Sequence, residues 1–247
     1  MFGVLTTVSA LALANFLGYN SMAPRSQLFG RTFTGNDPES RQLALTFDDG
    51  PNDPDTLKLL EILDRHGVKA TFFMVGQHVT ARPKVAEAVA RAGHVVGNHT
   101  FTHPNLIFCS PAQVRLQLEA CERSLTDAVG EHSRLFRPPH GGRRPSVLRV
   151  ARQLGLVTVM WRVAGVDWNS HPAPEIEARV IRRTRGGDVI LLHDGSHLGM
   201  GSDRSQTLVA TGNLIRQYQD RGFRFVTIPE MMHSSGISTA PEVGVAG

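Results

Sequence analysis

The segment from Leu43 to Pro51 reads Leu-Ala-Leu-Thr-Phe-Asp-Asp-Gly-Pro, an apolar run that stops at two adjacent carboxylates. The apolar part predicts a buried strand, and the Gly-Pro that follows breaks it, so Asp48 and Asp49 stand where the strand enters a loop. Two neighbouring carboxylates repel each other, and burial raises that cost. A metal ion or an arginine beside them would relieve it; the alternative for an isolated pair is a solvated turn that caps the next helix.

The composition fits a soluble globular protein with one sizeable core, since 41% of the 247 residues are hydrophobic and 19% are charged. The net charge of +4 comes mostly from arginines that are scattered along the chain instead of forming a run. Scattered basic residues are typical of a solvated surface, and no motif supports binding to nucleic acid. We therefore expect no nucleic-acid partner.

The two cysteines, Cys109 and Cys121, are predicted to be free thiols. The pattern from residue 110 to 129 predicts a helix, which would hold them about 18 Å apart. A disulfide needs Cα atoms within about 7 Å of each other. Cys121 is expected on the apolar face of this helix.

The ends of the chain differ from its middle in composition. Residues 1–24 are apolar and uncharged, and they predict a membrane anchor or a signal-like segment, although they are short for a span of about 20 apolar residues. A buried N-terminal helix or strand is the alternative. The anchor favours an extracytoplasmic or membrane-associated protein, with a cytoplasmic location as the alternative. Residues 25–40 are predicted to be a linker, 41–233 a single domain, and 234–247 a loose tail.

From residue 42 onward, strand-like and helix-like segments alternate. Strands are predicted at 43–47, 70–75, 95–96, 135–136, 157–161, 189–192 and 225–228, and helices at 54–66, 83–92, 111–129, 145–154, 175–184 and 206–221. This alternation implies parallel strands joined by right-handed crossovers. About seven such units in one domain favour an α/β barrel over an open sheet.

Polar clusters follow the ends of five predicted strands. They are Asp48-Asp49, Gly97–Pro104 with its two histidines, Arg137–Gly142, Asp167-Trp168 and His193-Asp194. In a parallel barrel the carboxyl ends of all strands share one face, and active sites of barrels form there. We therefore expect these clusters to meet on one rim.

The residue types on this rim suit metal-assisted hydrolysis. His99 and His103 are four residues apart, so one helical turn would point both imidazoles the same way. Two histidines and one carboxylate, from Asp48 or Asp49, form a three-ligand zinc site with a position open for water. A bound metal lowers the pKa of its water and polarises a carbonyl oxygen.

The remaining rim residues suit proton transfer. The aspartate that does not bind metal can accept the proton of the water, and His193 can protonate the leaving group. Arg137 can pair with the carboxylate that acts as the general base, and Asp167 can pair with His193 and keep it protonated. Together these groups suffice to hydrolyse an amide or an ester.

The five motifs, in this order, resemble those of the polysaccharide deacetylase family, which has the NodB-homology domain and is also called carbohydrate esterase family 4. They are Thr46–Pro51, His99–His103, Arg137–Gly141, Asp167-Trp168 and Leu191–His193, and the resemblance covers roughly residues 40–230. It implies a distorted (β/α)7-type barrel and a metal-dependent de-N-acetylase. The implied metal is zinc in most cases, with cobalt and nickel as alternatives.

The resemblance also implies a role for each matching residue. Asp48 would be the general base, oriented by Arg137, and His193 the general acid, tuned by Asp167. The metal ligands would be Asp49, His99 and His103. The substrate-binding residues would be Trp168 and Leu191, which wall the acetyl pocket, and Pro139 and His140, of which the latter offers its backbone N–H to the oxyanion.

Two positions depart from the family pattern. His140 stands where many members have tyrosine, which changes the rim but leaves a backbone N–H. Arg162 and Ala164 replace two acids of the fourth motif, so we expect a changed charge in the groove. The catalytic set is complete, but the sugar that it accepts does not follow from it.

The favoured function is removal of N-acetyl groups from amino sugars of a glycan, such as peptidoglycan, a chitin-like polymer or a lipid-linked sugar. The alternatives are hydrolysis of O-acetyl esters on an acetylxylan-like glycan and a non-catalytic glycan-binding domain. The histidines outside the motifs are expected at surface or loop positions, and they are His66, His78, His94, His132, His171, His197 and His233. Of these, only His197, just past the last motif, is a candidate for substrate contact.

Overall fold

The computed structural model describes residues 2–237, and residues 2–11 by their backbone alone. The strands are β1 (Gln42–Asp48), β2 (Thr71–Met74), β3 (Val95–Asn98), β4 (Leu135–Phe136), β5 (Val157–Thr158), β6 (Val163–Ala164), β7 (Val189–His193) and β8 (Arg224–Phe225). The helices are α1 (Phe2–Met22), α2 (Asp55–Arg65), α3 (Gly76–Ala81), α4 (Pro83–Arg91), α5 (Pro111–Val129), α6 (Pro145–Gln153), α7 (Ala173–Arg183), α8 (Ser205–Asp220) and α9 (Ile228–His233). The predicted tail beyond residue 237 lies outside the described residues.

All strand pairs are parallel, in the order β5-β4-β3-β2-β1-β7-β6, and β8 pairs with the first two residues of β1. The seven strands of this order curl into a half-barrel that helices surround, in a single domain. The predicted α/β barrel is therefore confirmed. Every strand except β1 has five residues or fewer, so the barrel is irregular.

Strand β1 is the centre of the sheet and is buried along its whole length. Because side chains alternate across a strand, its residues serve two cores. Leu43, Leu45 and Phe47 pack in the larger cluster with the helices, whereas Ala44 packs in a second cluster with methionines of α9. The strand thus delivers Asp48 and Asp49 at a fixed position on the rim.

Residues 33–36, within the predicted linker, are hydrogen-bonded to the sheet. Phe33 is buried and pairs with Val159 just beyond β5. The backbone N–H of Asn36 donates to the carbonyl of Gly187, just before β7, at 2.8 Å. This segment therefore connects the β5 edge of the sheet with the strand next to its other edge.

Two predicted strands end earlier than expected, and two short elements were missed. The strand predicted at 157–161 ends at Thr158, and the short β6 that follows was missed. Helix α3 was missed because its six residues include a glycine and two β-branched side chains, which favour helix weakly. The strand predicted at 225–228 ends early because Thr227 and Glu230 form a capping box that starts α9.

Helix α5 begins and ends as predicted. Ser110 and Gln113 form a capping box at its start, and Gly130, at φ 73°, ends it. Cys121 is buried on its inner face, and both cysteines are free, as predicted.

The apolar N-terminal segment forms α1, whose side chains from residue 12 onward are largely exposed. Leu13, Phe16 and Tyr19 are more than half exposed. None of the helices within residues 2–237 combines the length and the hydropathy that a membrane span requires.

Candidate active site

The parallel register places the polar clusters side by side, as predicted. Asp48 at the end of β1 is paired with His193 at the end of β7. Asn98 at the end of β3 is paired with Phe136 at the end of β4, so the next residues, His99 and Arg137, are neighbours. The strands end on one rim, and the side chains that follow them converge there.

A cavity of about 420 Å³ opens on this rim. It is lined by eight of the predicted site residues, namely Asp48, Asp49, His99, His103, His140, Trp168, Leu191 and His193. Arg137 and Asp167 lie buried behind this lining, each bonded to a residue in it. Pro139 is buried and does not line the cavity.

The carboxylate of Asp49 and the two motif histidines converge on one point. Asp49 Oδ1 lies 3.1 Å from His103 Nε2 and 3.4 Å from His99 Nε2. Four ligands at zinc bond lengths of about 2.0–2.1 Å stand about 3.3 Å apart in a tetrahedron. Oδ1 is buried, and no described residue donates a hydrogen bond of good geometry to it. These three atoms fit a divalent metal.

The ring of His99 is oriented by a backbone carbonyl. Its Nδ1 lies 2.7 Å from the carbonyl oxygen of Arg137, so Nδ1 donates this hydrogen bond and Nε2 is the nitrogen that faces Asp49. Burial lowers the pKa of His103 to about 4, so this imidazole is neutral at neutral pH. Neutral imidazoles are the form that binds metal.

The charge of Asp49 suits a ligand. Burial raises the pKa of this carboxyl, but the imidazoles of His103, His197 and His99 more than offset burial and hold the pKa well below its usual range. Asp49 is therefore ionised at neutral pH.

The prediction that His99 and His103 share a helical turn is wrong. Thr100 and His103 have positive φ, 66° and 58°. The backbone N–H groups here bond to side chains instead of to carbonyls one turn earlier, since Thr100 N–H donates to Asn98 Oδ1 and His103 N–H to Thr100 Oγ1. The two rings still meet, with centroids 4.9 Å apart.

Backbone strain is concentrated at this site. Positive φ is rare for residues with a side chain and is retained where surrounding contacts enforce it, often at functional sites. Within residues 2–237, every non-glycine residue at positive φ lies in one of the five rim clusters or beside it, and they are Asp49, Thr100, His103, His140 and Val166.

Asp48 is held by a buried arginine. Arg137 Nη1 donates to Asp48 Oδ1 at 2.7 Å and to Thr46 Oγ1 at 2.8 Å. The guanidinium carbon lies 4.1 Å from the ring centre of Phe73, and the side chain is fully buried. Burial lowers the pKa of Arg137, whereas the charge of Asp48 raises it. The predicted pairing of Arg137 with Asp48 is confirmed.

His193 is paired with Asp167, as predicted. His193 Nδ1 lies 2.9 Å from Asp167 Oδ1, and Asp167 Oδ2 accepts from the His193 backbone N–H and from Thr207. Burial lowers the pKa of His193, but the charge and the hydrogen bond of Asp167, together with the charges of Asp49 and Asp48, outweigh burial and raise the pKa to about 9. The imidazole is therefore protonated at neutral pH.

The substituted fourth motif leaves the cavity without an added charge. Arg162 Nη1 donates to the carbonyl of Asn36 at 2.8 Å and lies 3.4 Å from Asp188 Oδ1, and Arg162 does not line the cavity. Ala164 pairs with Leu191 within the sheet. Arg162 therefore serves the packing of residues 33–36 and brings no positive charge to the groove.

Residues outside the five motifs also line the cavity. One is His197, which its place in the loop after His193 made a candidate for substrate contact, and another is Arg204, which was not singled out from the sequence. His78 and His94 were expected at the surface but are buried, because each bonds to backbone: His78 Nδ1 lies 3.0 Å from the carbonyl of Asp49, and His94 Nδ1 accepts from the backbone N–H of residue 70.

The chain is similar to known carbohydrate deacetylases. A peptidoglycan-N-acetylglucosamine deacetylase of Bacillus cereus is 37% identical over 196 residues, which are 78% of this chain and 69% of that protein. A chitooligosaccharide deacetylase of a Bradyrhizobium species is 36% identical over 199 residues, 78% of this chain and 91% of that protein.

The likeness extends to three dimensions and to the family model. The crystal structure of the Bc1960 peptidoglycan N-acetylglucosamine deacetylase has a TM-score of 0.77 at 35% identity, covering 84% of this chain and 94% of that one. Residues 35–159 match the family model described as polysaccharide deacetylase. The chain therefore belongs to the polysaccharide deacetylase family of carbohydrate esterases.

Proposed function

We propose that this protein is a zinc-dependent hydrolase that removes N-acetyl groups from the N-acetylglucosamine units of a glycan. The observation that carries the proposal is the pair Asp48-Asp49, in which one carboxylate meets the imidazoles of His99 and His103 while the other is held by Arg137. The names of the relatives support peptidoglycan or a chitin-like oligosaccharide as the substrate.

Asp49, His99 and His103 would hold the metal. Two nitrogens and one carboxylate oxygen suit zinc, and cobalt or nickel could replace it. When bound, the metal would lower the pKa of a water molecule and polarise the acetyl carbonyl.

Asp48 would act as the general base. Its Oδ1 is bound by Arg137, while its Oδ2 lies 3.7 Å from His99 Nε2, beside the proposed metal site. Oδ2 is therefore the oxygen placed to accept a proton from the attacking water. Arg137 fixes the orientation of the carboxylate because its guanidinium is itself held by Thr46.

His193 would act as the general acid. Its Nδ1 is committed to Asp167, so the proton on Nε2 is the one available to the leaving amine. The pKa of about 9 keeps that proton on the ring until an amine of sufficient basicity develops. Asp167 stays behind the imidazole and stabilises its charge.

The rest of the cavity would bind the acetyl group. Leu191 and Trp168 offer apolar surface to its methyl group, and the Trp168 ring stands edge-on to His193 with centroids 5.4 Å apart. His140, at φ 56°, would direct its backbone N–H to the oxyanion.

Acetate release by the full chain tests the proposal. N-acetylglucosamine oligomers and acetylxylan would each be assayed with the protein as purified, after chelation and after zinc is restored. We expect release from the oligomers that stops on chelation and returns with zinc. Faster release from acetylxylan would favour the esterase alternative. A protein that releases no acetate and binds no metal would overturn the proposal and favour a glycan-binding domain.

A further inference from the structure

The loop after β7, residues 194–204, is bound to the loop that carries the two aspartates. The backbone N–H of Asp194 donates to the carbonyl of Asp48 at 3.2 Å. Asn52 joins the loops three times more, since its Nδ2 donates to the carbonyls of Asp194 at 3.1 Å and Ser202 at 2.9 Å and its Oδ1 accepts from the backbone N–H of Gly201 at 2.6 Å. The two loops therefore form one hydrogen-bonded unit.

The approach of these loops is too close for a side chain at Gly195. A Cβ there would overlap the carbonyl oxygen of Asp49. Glycine permits this contact because it has no Cβ. The backbone of residues 194–204 is thereby held against the proposed metal ligand.

His197 contacts two of the three proposed ligands. Its backbone N–H donates to Asp49 Oδ2 at 3.3 Å, and its Nδ1 lies 3.6 Å from the same oxygen. Its ring stacks on that of His103, with centroids 4.4 Å apart and planes at 18°. The two oxygens of Asp49 are thus divided: Oδ1 faces His99 and His103, and Oδ2 faces His197.

We propose that His197 is a positioning residue that holds Asp49 and His103 in the arrangement that binds metal. This inference rests on the metal site proposed above. A carboxylate with one oxygen held turns less freely about its last bond, and a stacked imidazole has fewer orientations open to it. Both restrictions lower the entropic cost of metal binding, because fewer side-chain conformations are lost when the metal binds. Loss of such a supporting contact typically weakens metal binding about 10–100-fold.

Zinc affinity provides a test that does not depend on turnover. Zinc would be titrated into the metal-free full chain in competition with a chromogenic chelator. The variants are His197→Ala, which removes the ring but keeps the backbone N–H that donates to Asp49 Oδ2, and His197→Asn, which restores a polar side chain near the place of Nδ1, 3.6 Å from the same oxygen. We expect His197→Ala to bind zinc about 10–100-fold more weakly and His197→Asn to recover part of the loss.

His140→Ala is the matched control. The His140 ring packs edge-on against His103 at 4.7 Å, so its removal loosens the packing of His103 while the contact between His197 and Asp49 remains. We expect a much smaller loss of zinc affinity, and thermal unfolding of the metal-free variants would confirm equal folding.

The outcomes separate this inference from the proposed function. A wild-type chain that binds no zinc would overturn both. Zinc binding by wild type with unchanged affinity in His197→Ala would overturn the positioning role alone. An equal loss in His140→Ala would also overturn it, since any ring packed on His103 would then have the same effect and His197, with its contact to Asp49, would have no specific role.

Discussion

Arg137 and Arg143 stand on either side of His140 and are both almost completely enclosed, at 0% and 1% exposure. Arg137 faces a carboxylate, Asp48, at 2.7 Å. Among the residues that the structure describes, Arg143 binds only carbonyl oxygens: Nη1 donates to Gly141 at 3.1 Å, and Nη2 donates to Ala23 and to Ser26, each at 2.7 Å. One buried cation thus orients a proposed catalytic base, whereas the other ties the N-terminal segment to the loop of the third motif.

The comparison teaches how a buried guanidinium can be satisfied. Burial lowers the pKa of Arg143 to about 10, with no carboxylate among the causes, and yet it stays protonated at neutral pH. Five donors in a planar fork can bind several carbonyl dipoles at once, so no counter-ion is required. Arg137 couples charge to charge, and its removal would leave Asp48 buried without its cation.

The largest expected effect is that of Arg137→Met. Removal of one member of a buried ion pair typically costs roughly 3–5 kcal/mol of unfolding free energy, because the other charge stays buried. Adding Asp48→Asn should restore most of that stability, since the unpaired charge is gone, while acetate release stays lost. Urea unfolding and acetate assays of the single and double variants would check this. Equal stability of the single and double variants would contradict it.

Arg143→Met should cost less, about 1–3 kcal/mol, because it leaves carbonyl oxygens without donors but no unpaired charge. The same urea unfolding measures it. In a chain that lacks residues 1–26 the substitution should cost less still, since Ala23 and Ser26 are absent. If the substitution instead costs as much stability as Arg137→Met, or costs the same in the shortened chain, the hydrogen bonds of Arg143 to residues 23 and 26 are not the source of its contribution to stability.

A third buried cation, His193, extends the comparison to a group that titrates. Its pKa is raised from 6.5 to about 9, so its pairing with Asp167 stabilises the fold fully below pH 6.5 and is lost as the pH rises through about 9. As general acid it should give turnover an alkaline limit near pH 9. Asp167→Asn should move that limit towards lower pH, and a pH profile of acetate release at saturating zinc would detect the shift. An unmoved limit would mean that another group sets it.

The rim of the site could be predicted from the sequence because parallel strands all end at the same edge of the sheet, so the residues that follow them lie close together. Asp48 and His193 are far apart in the chain, yet the alternation of predicted strands and helices is enough to place both at the ends of strands. The Asp48–Arg137 pair followed from the residue types and from the family motifs.

Other features could not be predicted because no spacing encodes them. Arg143 meets the carbonyls of residues 23 and 26, and His197 meets Asp49, through contacts between segments that carry no shared pattern. The prediction of a helical turn at His99 was wrong because side-chain oxygens, instead of backbone carbonyls, accept the hydrogen bonds of the backbone N–H groups there. Local periodicity describes backbone bonding to backbone and does not report such competition.

The division of labour between Asp48 and Asp49 is tested most directly by measuring bound zinc and acetate release in Asp48→Asn and Asp49→Asn. We predict that Asp48→Asn keeps one zinc per chain and loses turnover by about 10²–10⁴-fold, as expected for a general base. Asp49→Asn should lose both zinc and turnover. Zinc bound as tightly by Asp49→Asn as by wild type, or turnover retained by Asp48→Asn, would contradict the account.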